Sequence, residues 1–112
     1  MWMDIEALRK LLSNGRDNAM LRFTLGKALF DAGEYRESEL HLREAIVLDP
    51  EYSAAWQWLG QTLLLAGRLP EALSTLEKGL AVASSGGDIQ TRKVMEVLRR
   101  RALKAIRAQE EE

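Results

Sequence analysis

Apolar residues along this chain recur at intervals of three and four, and polar residues fill the positions between them. In residues 18–32, for example, Leu21, Leu25 and Leu29 fall on one stripe of a helix. Such spacing is typical of amphipathic helices, whereas a half-buried strand would alternate apolar and polar residues. The pattern predicts six helices, at about residues 4–14, 18–32, 35–48, 52–66, 70–83 and 88–108.

Glycine and small polar residues mark the ends of these helices. Asp4 and Asp88 are placed to cap two helices, because their side chains can accept hydrogen bonds from free backbone N–H groups of the first turn. Gly33 follows a helix end, where glycine adopts the left-handed conformation without strain. Residues 84–87, Ser-Ser-Gly-Gly, are predicted as a flexible break, and residues 109–112 as a frayed acidic tail.

The helix pattern repeats itself once, with a period of 34 residues. Placing residues 17–50 on residues 51–84 without a gap aligns seven identical pairs, which are Leu25/Leu59, Gly26/Gly60, Leu29/Leu63, Ala32/Ala66, Gly33/Gly67, Glu37/Glu71 and Leu42/Leu76. Nearly all of these positions are small or apolar, so the repeat concerns packing rather than chemistry. A fixed period of this length predicts a stack of similar units.

Two repeated glycines suggest how the helices of each unit pack. Gly26 and Gly60 occupy the same position in the middle of a helix, where glycine costs about 0.5–1 kcal/mol relative to alanine. We expect bare backbone at both positions to let the partner helix approach closely. Trp56 is expected to fill the space between adjacent helices. Small residues in the second helix of each unit fit the same packing, and these are Ser38, Ala45, Ala72 and Gly79.

In these residues the two units resemble the tetratricopeptide repeat, a helix–turn–helix module of the same period. The second unit carries the pattern at Trp56, Leu59, Gly60, Ala72, Leu76 and Gly79, and the first at Leu25, Gly26, Tyr35, Ser38, Leu42, Ala45 and Pro50. Arg22 stands where the first unit should have tryptophan, and Ser84 where the second should have proline. The resemblance implies an all-α fold, a right-handed superhelical stack of antiparallel helix pairs.

The whole chain is expected to form a single domain of this kind. Its parts are an N-terminal half-repeat helix in residues 4–16, repeat 1 in 17–50, repeat 2 in 51–84 and a C-terminal capping helix in 88–108. Two full units are few, because about three are usually needed to bury a continuous core. The first and last helices are therefore expected to act as caps.

The resemblance also implies where a partner would bind. In such stacks the first helix of each pair lines the concave side, and the lining residues point away from the second helix. Here these are Met20, Phe23, Lys27, Phe30 and Asp31, and in the second unit Ala54, Gln57, Gln61, Leu64 and Leu65, with Trp58 adjacent. Phe23 and Phe30 could instead pack in the core, beneath the first or the last helix. Chaperone-binding relatives have asparagine at the position of Lys27, so a chaperone-tail binder is not implied.

Charge is distributed unevenly, although the net charge of the chain is only −1. Residues 31–51 hold seven acidic and two basic residues, a net charge of −5, and residues 88–108 hold seven basic and two acidic, a net charge of +5. The basic segment can be a solvated helix face, or a docking patch for an acidic protein or for the acidic helix of a second copy. The patch would consist of Arg99, Arg100, Arg101 and Lys104. Nucleic acid is a weaker alternative, because residues 88–108 contain no aromatic side chain on which a base could stack.

Residue types needed for catalysis or metal binding are scarce. The sequence has no cysteine and one histidine, His41, whereas a metal site needs about three or four converging ligands. It contains no phosphate-binding loop and no nucleophile motif. We therefore expect no enzyme, no metal, no cofactor and no small-molecule substrate. Neither a secretory signal nor a membrane-spanning run is expected, and a cytoplasmic location is predicted.

These observations predict a non-enzymatic protein-interaction module, adaptor or chaperone-like, that binds a peptide or helix of a partner protein in a concave groove. The contacts would come from the apolar Phe23, Phe30 and Leu64 and from the polar Lys27, Gln57 and Gln61. The alternative is a self-assembling structural module, in which the acidic helix 35–48 meets the basic helix 88–108 of another copy. The expected state is a monomer or a weak homo-oligomer.

Overall fold

A computed structural model describes residues 4–111. Within them the chain forms six helices: α1 (Ile5–Ser13), α2 (Ala19–Asp31), α3 (Tyr35–Leu48), α4 (Ser53–Leu65), α5 (Leu69–Gly86) and α6 (Ile89–Glu110). No residue of this range lies in a strand, so the predicted all-α class is confirmed. Residues 1–3 and residue 112 lie outside the described residues. The first three begin the segment in which no secretory signal is expected, and residue 112 is the last of the predicted tail.

The prediction of a flexible break at residues 84–87 is wrong. Helix α5 continues to Gly86, and only Gly87 leaves the helix, with a φ of +73°. Glycine adopts this left-handed conformation without the clash that a Cβ would cause, so one residue is enough to turn the chain. Asp88 then caps α6 as predicted, because its carboxylate accepts a hydrogen bond from the Thr91 N–H at 3.2 Å.

Helix α6 is longer than predicted and closes the stack. It runs to Glu110 and so includes the first residues of the tail predicted at 109–112. Met95, Leu98 and Ala102 are buried on one face of α6, at helical spacing. This face packs against α5 and α4. Because α6 covers the last helix pair, it has the capping position that the sequence predicts.

The core consists of three successive clusters of buried aliphatic side chains. We call them the N-terminal cluster (Leu8, Leu21, Leu25 and Leu29), the middle cluster (Leu42, Leu59, Leu63 and Ala72) and the C-terminal cluster (Leu76, Ala83, Met95 and Leu98). Helix α1 contributes to the first and α6 to the last. Each end of the stack is therefore covered by a helix that completes a cluster.

The repeated glycines lie where the two helices of each unit approach most closely. A Cβ built on Gly26 would lie 2.8 Å from the Leu42 Cγ, and one built on Gly60 would lie 2.5 Å from the Leu76 Cδ2. Real Cβ atoms are not found at such distances, so neither position can accept a side chain without movement of a buried leucine. Ser38 fixes the first contact further, because its hydroxyl donates to the Gly26 carbonyl at 2.6 Å. The expected steric role of both glycines is confirmed.

Arg22 takes the place that Trp56 has in the second unit. Trp56 packs against the C-terminal cluster, and its Nε1 donates to the Pro50 carbonyl at 2.8 Å. Arg22 instead donates to the two carboxylate oxygens of Asp17 at 2.8 and 3.0 Å and to the His41 Nδ1 at 3.0 Å. Because a guanidinium can only donate, Nδ1 accepts and carries no proton. The first unit thus has a polar network where the second has an apolar contact.

We expect this network to lose stability as the pH falls from about 7 to about 6. Burial of the ring and the charge of Arg22 lower the pKa of His41, against the opposing effect of Glu37. The unfolded chain therefore takes up a proton near the ordinary pKa, about 6.5, before the folded chain does, and protonation favours unfolding. Urea denaturation across this range measures the loss. It should shrink in His41→Gln, which does not titrate; an equal loss in both proteins would contradict the prediction.

Candidate functional site

The residues predicted to line a groove belong to α2 and α4, the first helix of each unit. We call this surface the groove face; its residues are Met20, Phe23, Lys27, Phe30, Asp31, Ala54, Gln57, Trp58, Gln61, Leu64 and Leu65. In stacked helix pairs this side is concave. Helices α2 and α4 pack against each other, and α4 packs against α6, so the three helices form a continuous surface.

The aromatic rings of the groove face lie between the two units. The ring centroid of Phe23 is 5.0 Å from that of Tyr52, and the centroid of Phe30 is 5.1 Å from that of Trp58, edge to face. Phe30 also meets Tyr35 at 5.3 Å. We call these five rings the aromatic seam. All but Tyr35 are half-buried, and they lie neither beneath α1 or α6 nor free in the groove.

Leu64 is less available to a partner than the sequence suggests. It is half-buried and packs against both the middle and the C-terminal clusters. The most exposed apolar side chains of the groove face are instead Met20, 69% exposed, and Leu65, 60% exposed. Apolar area that a partner could cover therefore lies near the start of α2 and at the end of α4.

The polar groups of the groove face differ in the contacts that they make within the chain. The Lys27 ammonium lies 4.9 Å from the Trp58 ring centroid, within cation–π range, and pairs with the Asp31 carboxylate at 3.3 Å. Gln57 and Gln61 lie one turn apart on α4 and are half-buried. An amide side chain can both donate and accept hydrogen bonds, which suits the backbone of an extended segment.

The predicted basic patch on α6 is divided by the structure. Arg99 points to α5 and pairs with Glu77 at 3.2 Å. Arg100, Arg101 and Lys104 are exposed and make no ion pair within residues 4–111. Arg99 therefore belongs to an intramolecular contact, and three of the four predicted patch residues remain on the surface.

The acidic helix α3 is largely neutralised by bases of its own chain. Glu37 pairs with Arg9 of α1 at 2.7 Å, and Glu39 pairs with Arg43 at 2.9 Å and Arg68 at 2.6 Å. Burial acts to raise the pKa of Glu39, but the hydrogen bonds from the two arginines outweigh it and lower the pKa. These carboxylates are therefore held in place before any partner arrives.

Two ion pairs between helices recur at the period of the repeat, although the sequence analysis above does not predict them. Arg9 of α1 pairs with Glu37, and Arg43 of α3 pairs with Glu71 at 3.2 Å. Arg9 and Arg43 are separated by 34 residues, as are Glu37 and Glu71. A search for opposite charges repeated at the same period would have found both pairs.

Possible metal ligands and membrane-spanning helices were sought among the described residues. Between residues 4 and 111 no three histidine or carboxylate side chains converge to hold a metal ion. Across the same residues no helix combines the length and the apolar character needed to cross a bilayer.

Comparison with known proteins gives matches over most of the chain. A sequence profile described as tetratricopeptide repeat matches residues 5–51 and 23–88. The TPR repeat-containing protein PA0015 of Pseudomonas aeruginosa is 46% identical over 99 residues, which cover 88% of this chain and 94% of that protein. The solution structure of protein BPP2914 from Bordetella parapertussis is 42% identical, with a TM-score of 0.80, and the match covers 93% of this chain and 90% of that one.

A third similar structure contains a bound peptide. It is the second TPR domain of the human RPAP3 protein, solved in complex with the HSP70 peptide SGPTIEEVD. This domain is 26% identical to the chain, with a TM-score of 0.70, and the match covers 85% of this chain and 78% of that one.

Proposed function

This chain belongs to the tetratricopeptide repeat family, and we propose that its groove face binds a segment of a partner protein, as an adaptor or chaperone-like module. The single observation that carries the proposal is that Met20 and Leu65, on the two helices that carry most of the aromatic seam, leave large apolar side chains exposed. A partner that covers them would bury apolar area at a preformed surface. The peptide-bound structure of the similar RPAP3 domain supports a peptide as the occupant.

The packing of the aromatic seam suggests how binding would work. Because its rings pack against each other, and Phe23 and Trp58 also pack against the middle cluster, they are already ordered and lose little conformational entropy when a partner arrives. Met20 and Leu65 would contribute the apolar contacts, while Gln57 and Gln61 would hydrogen-bond the backbone of the bound segment. A rigid surface with a few apolar anchors is typical of peptide recognition.

We expect Met20→Gln with Leu65→Gln to abolish most peptide capture without unfolding the protein. The probe is a display library of random twelve-residue peptides, selected on the immobilised full chain. Loss of two apolar anchors should weaken binding of the selected peptides about tenfold or more. Both positions are exposed, so the free energy of unfolding should stay within about 0.5 kcal/mol of the native value.

A matched control lies on the other side of the molecule. Leu40 and Val47 are 67% and 70% exposed and belong to α3, which contributes no residue to the groove face. Leu40→Gln with Val47→Gln removes the same kind of surface and should leave the affinity of the selected peptides unchanged. If this control lowers the affinity as much as the groove variant does, the peptides bind elsewhere and the proposed function is wrong.

Self-assembly through α3 and α6 has less support. The contact would need free carboxylates on α3, but Glu37 and Glu39 already pair with arginines of their own chain. The most exposed apolar side chains of α3, Leu40 and Val47, would also have to be accommodated in a contact held by charge. Light scattering at low and at high salt tests this alternative, because oligomers held by charge should dissociate as salt is added.

A further inference from the structure

We propose that the groove face selects an acidic segment of the partner, because α6 adds a row of basic side chains to it. This inference rests on the proposed function. The row, which we call the basic row, consists of the basic Lys93, Arg101 and Lys104 together with Val97, which lies between Lys93 and Arg101. These residues are spaced by four, four and three, so they form one stripe along α6.

The packing of α6 shows which of its residues continue the groove face. Helix α6 packs against α5 and α4 as α4 packs against α3 and α2. Met95 of α6 lies in one cluster with Leu76, as Leu59 of α4 lies in one cluster with Leu42. Helix α6 begins 36 residues after α4, whereas α4 begins 34 residues after α2. Residues of α6 therefore correspond to those of α4 at an offset of 36.

At this offset Lys93, Val97 and Arg101 take the place of groove-face residues in a third unit, and Lys104 continues the stripe beyond them. The counterparts on α6 are Lys93 for Gln57, Val97 for Gln61 and Arg101 for Leu65. Lys93 and Arg101 are exposed, and Val97 is 39% exposed. Lys93 and Lys104 point away from the buried Met95, Leu98 and Ala102, whereas Arg101 lies at the border of the buried face and is exposed.

The charges of the basic row are available to a partner. Within residues 4–111 no ion pair engages Lys93, Arg101 or Lys104, whereas Arg99 on another face of α6 pairs with Glu77. The carboxylate of the groove face, Asp31, lies on α2 and pairs with Lys27. A segment lying across the groove face would therefore meet apolar atoms on α2 and α4 and uncompensated positive charge on α6. Aspartate or glutamate residues at its α6 end would complement this charge.

The apolar neighbours of the basic row favour a protein segment over nucleic acid. The exposed apolar side chains near the row are aliphatic, namely Val94, Val97 and Leu65. Aliphatic side chains suit the side chains of a peptide, whereas a single nucleic-acid strand would need aromatic faces for its bases. Trp58 is half-buried, and the edge-to-face contact with Phe30 occupies one of its sides.

The same display library tests the proposal. Peptides selected on the native chain should have an excess of aspartate and glutamate over the unselected library. In Lys93→Gln with Arg101→Gln these peptides should bind about three- to tenfold more weakly, as expected for the loss of two exposed ion pairs. The matched control is Arg92→Gln with Arg99→Gln, which removes the same charge from another face of α6, because these two residues lie seven apart on one side of the helix. It should change the affinity by less than about twofold.

The possible outcomes separate this proposal from the function on which it rests. Enrichment of neutral or basic peptides that still depend on Met20 and Leu65 would overturn the acidic preference alone. An equal loss of affinity in the row variant and in its control would also overturn it, because net charge would then explain the binding. If selection on the native chain enriches peptides no more than selection on the variant Met20→Gln with Leu65→Gln does, the proposed function is overturned as well. Tighter binding of a single-stranded DNA than of any selected peptide, lost in the row variant, would assign the row to nucleic acid.

Discussion

A chain that ends at Gly87, without α6, should not fold. The deletion would expose Leu76 and Ala83, which are buried against α6, and would remove Met95 and Leu98 from the C-terminal cluster. Burying one large aliphatic side chain contributes about 1.5–3 kcal/mol. The large aliphatic side chains lost from the core are Leu76, Met95 and Leu98. Their summed contribution approaches the whole free energy of unfolding of a domain, about 5–15 kcal/mol. Far-ultraviolet circular dichroism and a thermal melt would measure the loss of helix and of cooperative unfolding.

A shorter truncation provides the control for this deletion. A chain that ends after residue 106 keeps every buried residue of α6, and positions 107–111, which it lacks, are all exposed. Its melting temperature should stay close to that of the native chain. If the chain ending at Gly87 instead keeps the native helical signal and melting temperature, the first five helices form a complete core and α6 is not a cap.

Helix α6 therefore has two faces with different roles. Its inner face, with Met95, Leu98 and Ala102, completes the core, and its outer face carries the basic row. The residues on each face recur along the helix at spacings of three and four, so neither role disturbs the other. Point variants on the outer face should leave the free energy of unfolding unchanged. A loss of binding in these variants can therefore be attributed to the altered surface and not to unfolding.

Features that depend on spacing within one helix pair could be predicted from the sequence. Gly26 and Gly60 recur at the period of the repeat in the middle of a helix, where glycine is unfavourable unless something requires it. That requirement is steric and local, because the opposing residues, Leu42 and Leu76, recur at the same period. The sequence therefore predicted the packing within each unit.

Features that depend on contacts between units could not be predicted in the same way. The ring of Phe23 meets Tyr52, and the ring of Phe30 meets Trp58, and both contacts join one helix pair to the next. Helical periodicity assigns a residue to a face of its own helix but does not say which residue of another unit covers that face. Whether the two phenylalanines are exposed or buried thus remained open until the structure placed them in the seam.

The offset of 36 residues between α4 and α6 could not be predicted from the sequence for a different reason. Helix α5 continues through residues that the sequence suggested as a break, and α6 is displaced by two residues from the period of 34. At a period of 34, Gln61 of the groove face would correspond to Met95, which is buried. The packing of Met95 beside Leu76 reveals the correspondence at 36 residues, on which the proposed role of Lys93 and Arg101 rests.

Gly60→Ala should destabilise the protein by about 1–3 kcal/mol, although alanine favours helices. The new Cβ would lie 2.5 Å from the Leu76 Cδ2 and 2.7 Å from its Cγ. Leu76 is fully buried in the C-terminal cluster and cannot move without disturbing its neighbours. The steric cost therefore exceeds the gain in helix propensity, which is about 0.5–1 kcal/mol. Urea denaturation of the native chain and the variant measures the difference.

Two further variants make this prediction specific. Gly86 is also helical, but a Cβ there would meet nothing within 4 Å, so Gly86→Ala should leave stability unchanged or slightly raised. Leu76→Ala should cost less when combined with Gly60→Ala than alone, because the added Cβ fills part of the space that the leucine leaves. Additive effects in this double variant, or equal effects of alanine at Gly60 and Gly86, would show that the two helices do not depend on bare backbone at Gly60.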